Sequence, residues 1–106
     1  MNRGDVRWYT LKMPDKKRPV LILTCDSAIQ VLNSVPVAPI TSTIRSIPTE
    51  VVLTEEVGLP HTCAANFDTL QTVPKSRIAH RTARLSRRKM REAAAAVSFV
   101  LALDED

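Results

Sequence analysis

Residues 19–24 read PVLILT, the most apolar run in the chain. Val20, Leu21 and Ile22 in succession favour an extended, buried conformation, and Pro19 suits the first position of a strand, where no ladder N–H is required. The run is therefore predicted to be the central strand of a sheet. Upstream, residues 6–11 carry Trp8 and Tyr9 in a half-buried strand pattern entered from Gly4 and Asp5, and a polar turn over 12–17, with Pro14 and Asp15 as turn formers, joins the two. Downstream, Asp26 and Ser27 are expected to cap one helical turn over 28–32. Residues 35–41 make the next strand, with Pro36 and Pro39 limiting its ladder to one side or to a bulge. Further strands are expected at 49–53, 63–67, a short piece near Thr72, and 78–85. Short strands with turn signals every ten or so residues point to a small barrel.

Only the C-terminal segment has helical period. Ser86 is a candidate N-cap, and Met90, Ala93, Ala94, Val97 and Leu101 recur at spacings of three and four. Ala95, Ala96, Phe99 and Val100 fill the opposite face, so the helix is apolar nearly all round and must bury more than one side. A barrel covers one stripe; a second copy of the chain is the economical cover for the other, which predicts a homodimer.

The chain has 106 residues, 44% hydrophobic and 25% charged, which suits one compact domain over residues 1–106. No apolar run approaches the roughly 20 residues that span a bilayer, and the opening MNRGDVRWY lacks the apolar centre of a signal peptide, so a cytoplasmic location is expected. Cys25 and Cys63 lie far apart, with no CxxC unit and no histidine at zinc-ligand spacing. Neither a metal nor a disulfide is implied, and both are read as small buried hydrophobes. His61 and His80 are isolated, although His61, in the loop GLPHT, could approach a ligand. The net charge is +4, but eight basic residues and no acid fall between Lys75 and Arg91, a second cluster comprises Lys16, Lys17 and Arg18, and acids end the chain. Such a stretch is either a solvated face or a target for a polyanion such as RNA, or for an acidic peptide.

Residues 37–45, VAPITSTIR, end a strand in three hydroxyls, Thr41, Ser42 and Thr43. Read alone, that is a turn. Read with GDVRWYTL, KKRPVLIL, PTEVVL, GLP, NFDTLQTVPKSRI and RLS in this order, the chain resembles the MazF/PemK toxins almost end to end. The resemblance implies a mainly β (α+β) fold: an SH3-like small barrel of five to seven strands with a C-terminal helix, of the MazF/PemK/CcdB type. It implies a homodimer with RNA crossing a groove near the subunit boundary. It also implies sequence-specific, metal-independent cleavage of single-stranded RNA, mRNA included, to 2′,3′-cyclic phosphate and 5′-hydroxyl ends. Translation and growth would stop, and a cognate antitoxin would cover the groove with an acidic segment.

Metal-free RNA cleavage needs a base for the 2′-hydroxyl proton, stabilisation of the crowded phosphorane, and an acid for the departing 5′-oxygen. By the resemblance, Arg18 of the RPV motif and Thr41 of the ITS motif are catalytic. A guanidinium matches phosphate oxygens and stays protonated, so Arg18 is a clamp rather than a base. Thr41 can donate to a nonbridging oxygen. Asp68, in NFDTLQ, is the candidate general base. Lys16, Lys17, Ser42, Thr43, Lys75 and Arg77 are candidate RNA contacts. Asn66 and Gln71 stand where many relatives have arginine, and their amides can read base edges. Trp8, Tyr9 and Phe67 are as well suited to the core as to stacking on bases. The competing expectations are a CcdB-like toxin that binds a topoisomerase without catalysis, and an RNA-binding barrel that cuts nothing.

Overall fold

The computed structural model describes residues 1–10, 17–54, 58–103 and 105. Seven strands form one sheet: β1 (Asp5–Thr10), β2 (Lys17–Ile22), β3 (Ser34–Thr41), β4 (Glu50–Leu53), β5 (Cys63–Asn66), β6 (Gln71–Pro74) and β7 (Ile78–Arg84). A short helix α1 (Asp26–Val31) joins β2 to β3, and α2 (Arg87–Leu101) ends the chain. The spatial order is β4-β5-β3-β2-β1-β7, with β6 added beside β3.

The central strand begins and ends two residues earlier than PVLILT suggests. Pro19 lies inside β2, facing only Trp8 of β1, and the ladder to β3 starts at Val20, the first residue past the missing N–H. On β3 the prolines act as expected. Pro36 faces only Thr72 of β6 and Pro39 only Val20 of β2, so neither is asked for bonds on both sides. β3 thus takes its partners in succession, β6 along its first half, β2 in the middle, and β5 at Ile40 and Thr41.

β4 and β7 are the two ends of the sheet, so the expected barrel is not closed by hydrogen bonds. Packing bridges the gap instead. Val51 and Leu53 of β4 share one core cluster with Ala83 and Leu85 at the end of β7, together with Val6, Leu21, Ile40 and Phe67. α2 lies over this junction, inserting Ala93 and Ala96 into the cluster, while Lys89 Nζ donates to the Val52 carbonyl at 3.0 Å. Ser86 caps α2 by accepting the Lys89 N–H at 3.2 Å. The buried stripe runs through Met90, Ala93, Ala96, Val97 and Val100; Ala94 and Leu101, expected on it, face solvent. Phe99, Leu101 and Leu103 are 59%, 53% and 66% exposed, leaving the end of α2 with an uncovered apolar face. A second cluster on the other side of the sheet joins Val20, Ile22, Val35, Val37 and Val73 to Ile29 of α1. No helix among the described residues is long and apolar enough to cross a membrane.

The GDVR motif is a staple. Gly4, at φ +91°, adopts a backbone conformation costly for other residues and bonds both to Ile22 and to Leu85. Asp5 is buried between Arg7, at 2.9 Å, and Arg84, at 3.0 Å. Burial alone would push its carboxyl up, but the Asn2 N–H and the two guanidinium groups outweigh that and hold it below the ordinary value.

Three expectations fail locally. The N-cap of α1 is Cys25, without a side-chain bond, while the Asp26 carboxylate accepts the Arg3 N–H at 2.7 Å. Cys63 is buried but Cys25 is exposed, because the helix start lies at the surface. The basic stretch is not one face: Lys75 donates to the Ile29 carbonyl, Arg84 holds Asp5, and Lys89 pairs with Glu92.

Candidate functional site

The β2–β3 ladder runs from Ile22 opposite Val37 to Val20 opposite Pro39, and just beyond its end Arg18 of β2 and Thr41 of β3 come to line the same hollows. Two hollows meet at this pair, and both residues line both. The first, about 470 Å³, is mostly apolar: Trp8 of β1, Pro19, Ile40, Cys63 of β5, Thr82 of β7, and Leu59, Pro60 and His61 from the β4–β5 connection, with Lys17 and Ser42 beside them. The second, about 390 Å³, is mostly polar, walled by Pro39, Thr43, Arg45, Asn66, Thr69 and Gln71. Two side chains distant in sequence thus form a ridge between a site suited to an apolar ring and a site suited to polar edges.

Local structure prepares Thr41 to donate. Its Oγ1 accepts the Thr43 N–H at 3.1 Å, which fixes the side chain, and the hydroxyl hydrogen has no acceptor among the described residues. The loop beyond is held by a buried carboxylate. Glu50 Oε1 accepts the N–H groups of Arg45, at 2.7 Å, and Ser46, at 2.6 Å, with Ser46 in the left-handed region at φ 55°. Glu50 Oε2 has no hydrogen-bond partner among the described residues, but Arg45 Nε lies 3.5 Å away, near enough for attraction between charges. Arg45 then forms a bidentate pair with Asp68, at 3.2 and 3.0 Å.

Of the residues singled out in the sequence, Arg18, Thr41, Lys17, Ser42, Thr43, Asn66 and Gln71 gather at the two hollows. Lys16 lies outside the described residues. Asp68 lines neither hollow; the hydrogen-bonded Arg45 holds its carboxyl below the usual carboxylate range, which makes it a weaker proton acceptor. Lys75 and Arg77 are not brought to the ridge. They follow Pro74, which faces Ser34 at the far end of the eight-residue β3 from Thr41, up to roughly 23 Å away at about 3.3 Å per residue. Lys75 Nζ is engaged by the Ile29 carbonyl at 2.6 Å. Among the aromatics, Phe67 is core, Tyr9 packs against the second cluster, and Trp8 reaches the apolar hollow.

Nothing in the sequence sets Arg45 and Glu50 apart as parts of the site, although both lie within the motifs VAPITSTIR and PTEVVL. Their partnership crosses a turn, and Asp68 joins it from a different strand connection. Among the described residues, no three His, Cys, Asp or Glu side chains gather as a metal ion would need.

Comparison with known proteins points in one direction. Residues 2–101 match the family model described as PemK-like, MazF-like toxin of type II toxin-antitoxin system. The probable endoribonuclease MazF2 of Mycobacterium tuberculosis is 36% identical over 94 residues, covering 88% of this chain and 90% of that one. Probable endoribonuclease MazF5 of the same organism is 38% identical over 92 residues, covering 84% and 82%. Among solved structures, Mycobacterium tuberculosis toxin MazF-mt6 superposes with a TM-score of 0.83 at 32% identity, covering 92% of this chain and 96% of that one. An endoribonuclease in complex with its cognate antitoxin from a mycobacterial species superposes with a TM-score of 0.85, covering 97% and 96%; at 23% identity, that likeness is one of fold.

Proposed function

As the chain belongs to the PemK-like, MazF-like toxins of type II toxin–antitoxin systems, we propose that it is a sequence-specific endoribonuclease that cuts single-stranded RNA without a metal and arrests translation. The observation that carries this reading is the Arg18–Thr41 ridge between two hollows of unlike chemistry, which suits one phosphate with a base on either side.

In this mechanism the scissile phosphate lies on the ridge. The 2′-hydroxyl of the preceding ribose attacks phosphorus, a new O–P bond forms, and the bond to the 5′-oxygen of the next nucleotide breaks. The products are a 2′,3′-cyclic phosphate and a 5′-hydroxyl. Charge on the nonbridging oxygens rises on the way, and Arg18 and the free Thr41 hydrogen meet it with fixed donors, the arrangement that stabilises a transition state more than a ground state. The attacking hydroxyl gives up one proton and the leaving oxygen takes one. His61, in the hollow that Arg18 and Thr41 share, is the side chain there able to do both. Asp68 is better fitted to holding Arg45 than to accepting that proton.

The exposed apolar end of α2 supports a homodimer. Arg18 and Lys17, both exposed at the ridge, would attract an acidic antitoxin segment to the same surface as RNA. An mRNA substrate sets the working place in the cytoplasm. Incubation of the purified protein with a long RNA in EDTA, followed by mapping of 5′-hydroxyl ends, tests the reading. Discrete cuts that disappear in Arg18→Ala, with the fold retained, are expected. Salt-dependent binding with no cuts in any RNA overturns it in favour of an inert RNA-binding barrel.

A further inference from the structure

Two carboxyl groups flank one guanidinium at the wall of the polar hollow. Arg45 has five N–H donors. Nη1 and Nη2 each give one to Asp68, at 3.2 and 3.0 Å, and Nε faces Glu50 Oε2 at 3.5 Å. One N–H remains on each terminal nitrogen, on opposite edges of the guanidinium plane. The end-on fork of Nη1 and Nη2, which could grip a phosphate or the paired acceptors of guanine, is therefore already in use, and Nε of the side-on pair faces the Glu50 carboxylate. Two acids also offset the charge of Arg45, whereas Arg18, across the hollow, has no carboxylate partner among the described residues. The two arginines of one hollow are thus chemically unlike: Arg18 is suited to a phosphate, and Arg45 to a single neutral acceptor.

We propose that Arg45 is a specificity-determining residue of the cleavage reaction: held by Asp68 and Glu50, it offers one donor to a carbonyl on the base that enters the polar hollow. Asp68 is then a positioning residue that acts through Arg45. The inference rests on the nuclease reading above and adds to it the class of base selected. Asn66 strengthens the choice, because its Oδ1 accepts the Asp68 N–H at 3.1 Å and its amide N–H groups are left to donate. A hollow rich in donors favours a keto edge, that of uracil or guanine, over the amino edge of adenine or cytosine.

The test is cleavage of a random-sequence RNA pool, with the cut sites sequenced, by the full chain and by Arg45→Gln, Arg45→Lys and Asp68→Asn. In all three, the backbone bonds from residues 45 and 46 to Glu50 can still form, and denaturant melts check the fold. The parent protein is expected to require uracil or guanine at one fixed position beside the cut. Arg45→Gln and Arg45→Lys are expected to weaken that preference about tenfold while preferences elsewhere persist. Asp68→Asn releases the guanidinium, so preference at the same position falls and the salt dependence of RNA binding steepens by about 0.7 in log–log slope, one added phosphate contact. Cutting by the parent with an unchanged motif in the variants overturns the proposal and leaves the nuclease reading standing. So does loss of cleavage in Asp68→Asn with residual cuts at the parent motif, which identifies Asp68 as a proton carrier. A parent protein that cuts no RNA overturns both.

Discussion

Replacing Glu50 by glutamine keeps shape and volume but removes the charge that organises the loop after β3. The Glu50 side chain is 1% exposed and its Oε1 accepts two backbone N–H groups at 2.6 and 2.7 Å. Bonds to an ionised acceptor contribute about 1 kcal/mol more each than bonds to a neutral one, so the two lose about 2 kcal/mol together. The new amide N–H₂ then takes the place of Oε2 and points its hydrogens at Arg45 Nε, also a donor, which adds about 1 kcal/mol or more. The attraction to Arg45 itself contributes little, because that side chain is 40% exposed and screened. The expected loss is about 3 kcal/mol, read as a lower urea midpoint with an unchanged slope. Hydrogen exchange localises it: protection of the Arg45 and Ser46 amides should fall about a hundredfold if they open locally. A loss under about 1 kcal/mol, or unchanged exchange at those two amides, refutes the view that the buried charge holds the loop.

Thr41→Val removes the free donor while keeping the branch of the side chain, and is expected to lower kcat about a hundredfold with KM nearly unchanged; single-turnover cleavage would show this, and a change confined to KM contradicts the role. Asp5 has a folded-state pKa below its unfolded one, so its contribution to stability is present above the unfolded value and lost as pH falls through the folded one. Asp5→Asn should therefore cost about 2 kcal/mol at neutral pH and flatten the decline in stability below about pH 4, measured by urea unfolding across that range. Phe99→Glu puts a charge on the exposed end of α2 and should yield a monomer in sedimentation velocity at concentrations where the parent is a dimer.

The strands were legible because their patterns are local. Apolar runs separated by turn residues give six strands within two residues of their expected bounds and β6 at the short piece near Thr72, and Ser86 marks the start of α2 because its hydroxyl bonds three residues away. Errors appear where a neighbour in space chooses between local options. Pro19 was expected to begin a strand but sits inside one, because only β1 pairs there and β3 arrives one residue later. Ala94 and Leu101 share the helical spacing of the core stripe, yet the way α2 packs on β4 and the core cluster buries Ala96 and Val100 instead. Lys75 and Arg77 lie in the most basic part of the sequence but turn away from the ridge, since β6 joins β3 at its opposite end.

Residue order alone fixed the chemical inventory of this protein: a β-rich chain, an arginine after two lysines, hydroxyls at the close of a strand, and a helix too apolar for one neighbour to cover. Chain pairing then decided which of those groups meet. Strand pairing gathered Arg18 and Thr41 at the same two hollows, and buried Glu50 in the next strand holds the loop from which Arg45 pairs with Asp68, so two similar cations differ in the partners they already have. The physical reason is range. Propensity and periodicity act over a few residues, whereas hydrogen-bond geometry and the cost of a buried, unpaired charge act between segments that meet only once the sheet has formed.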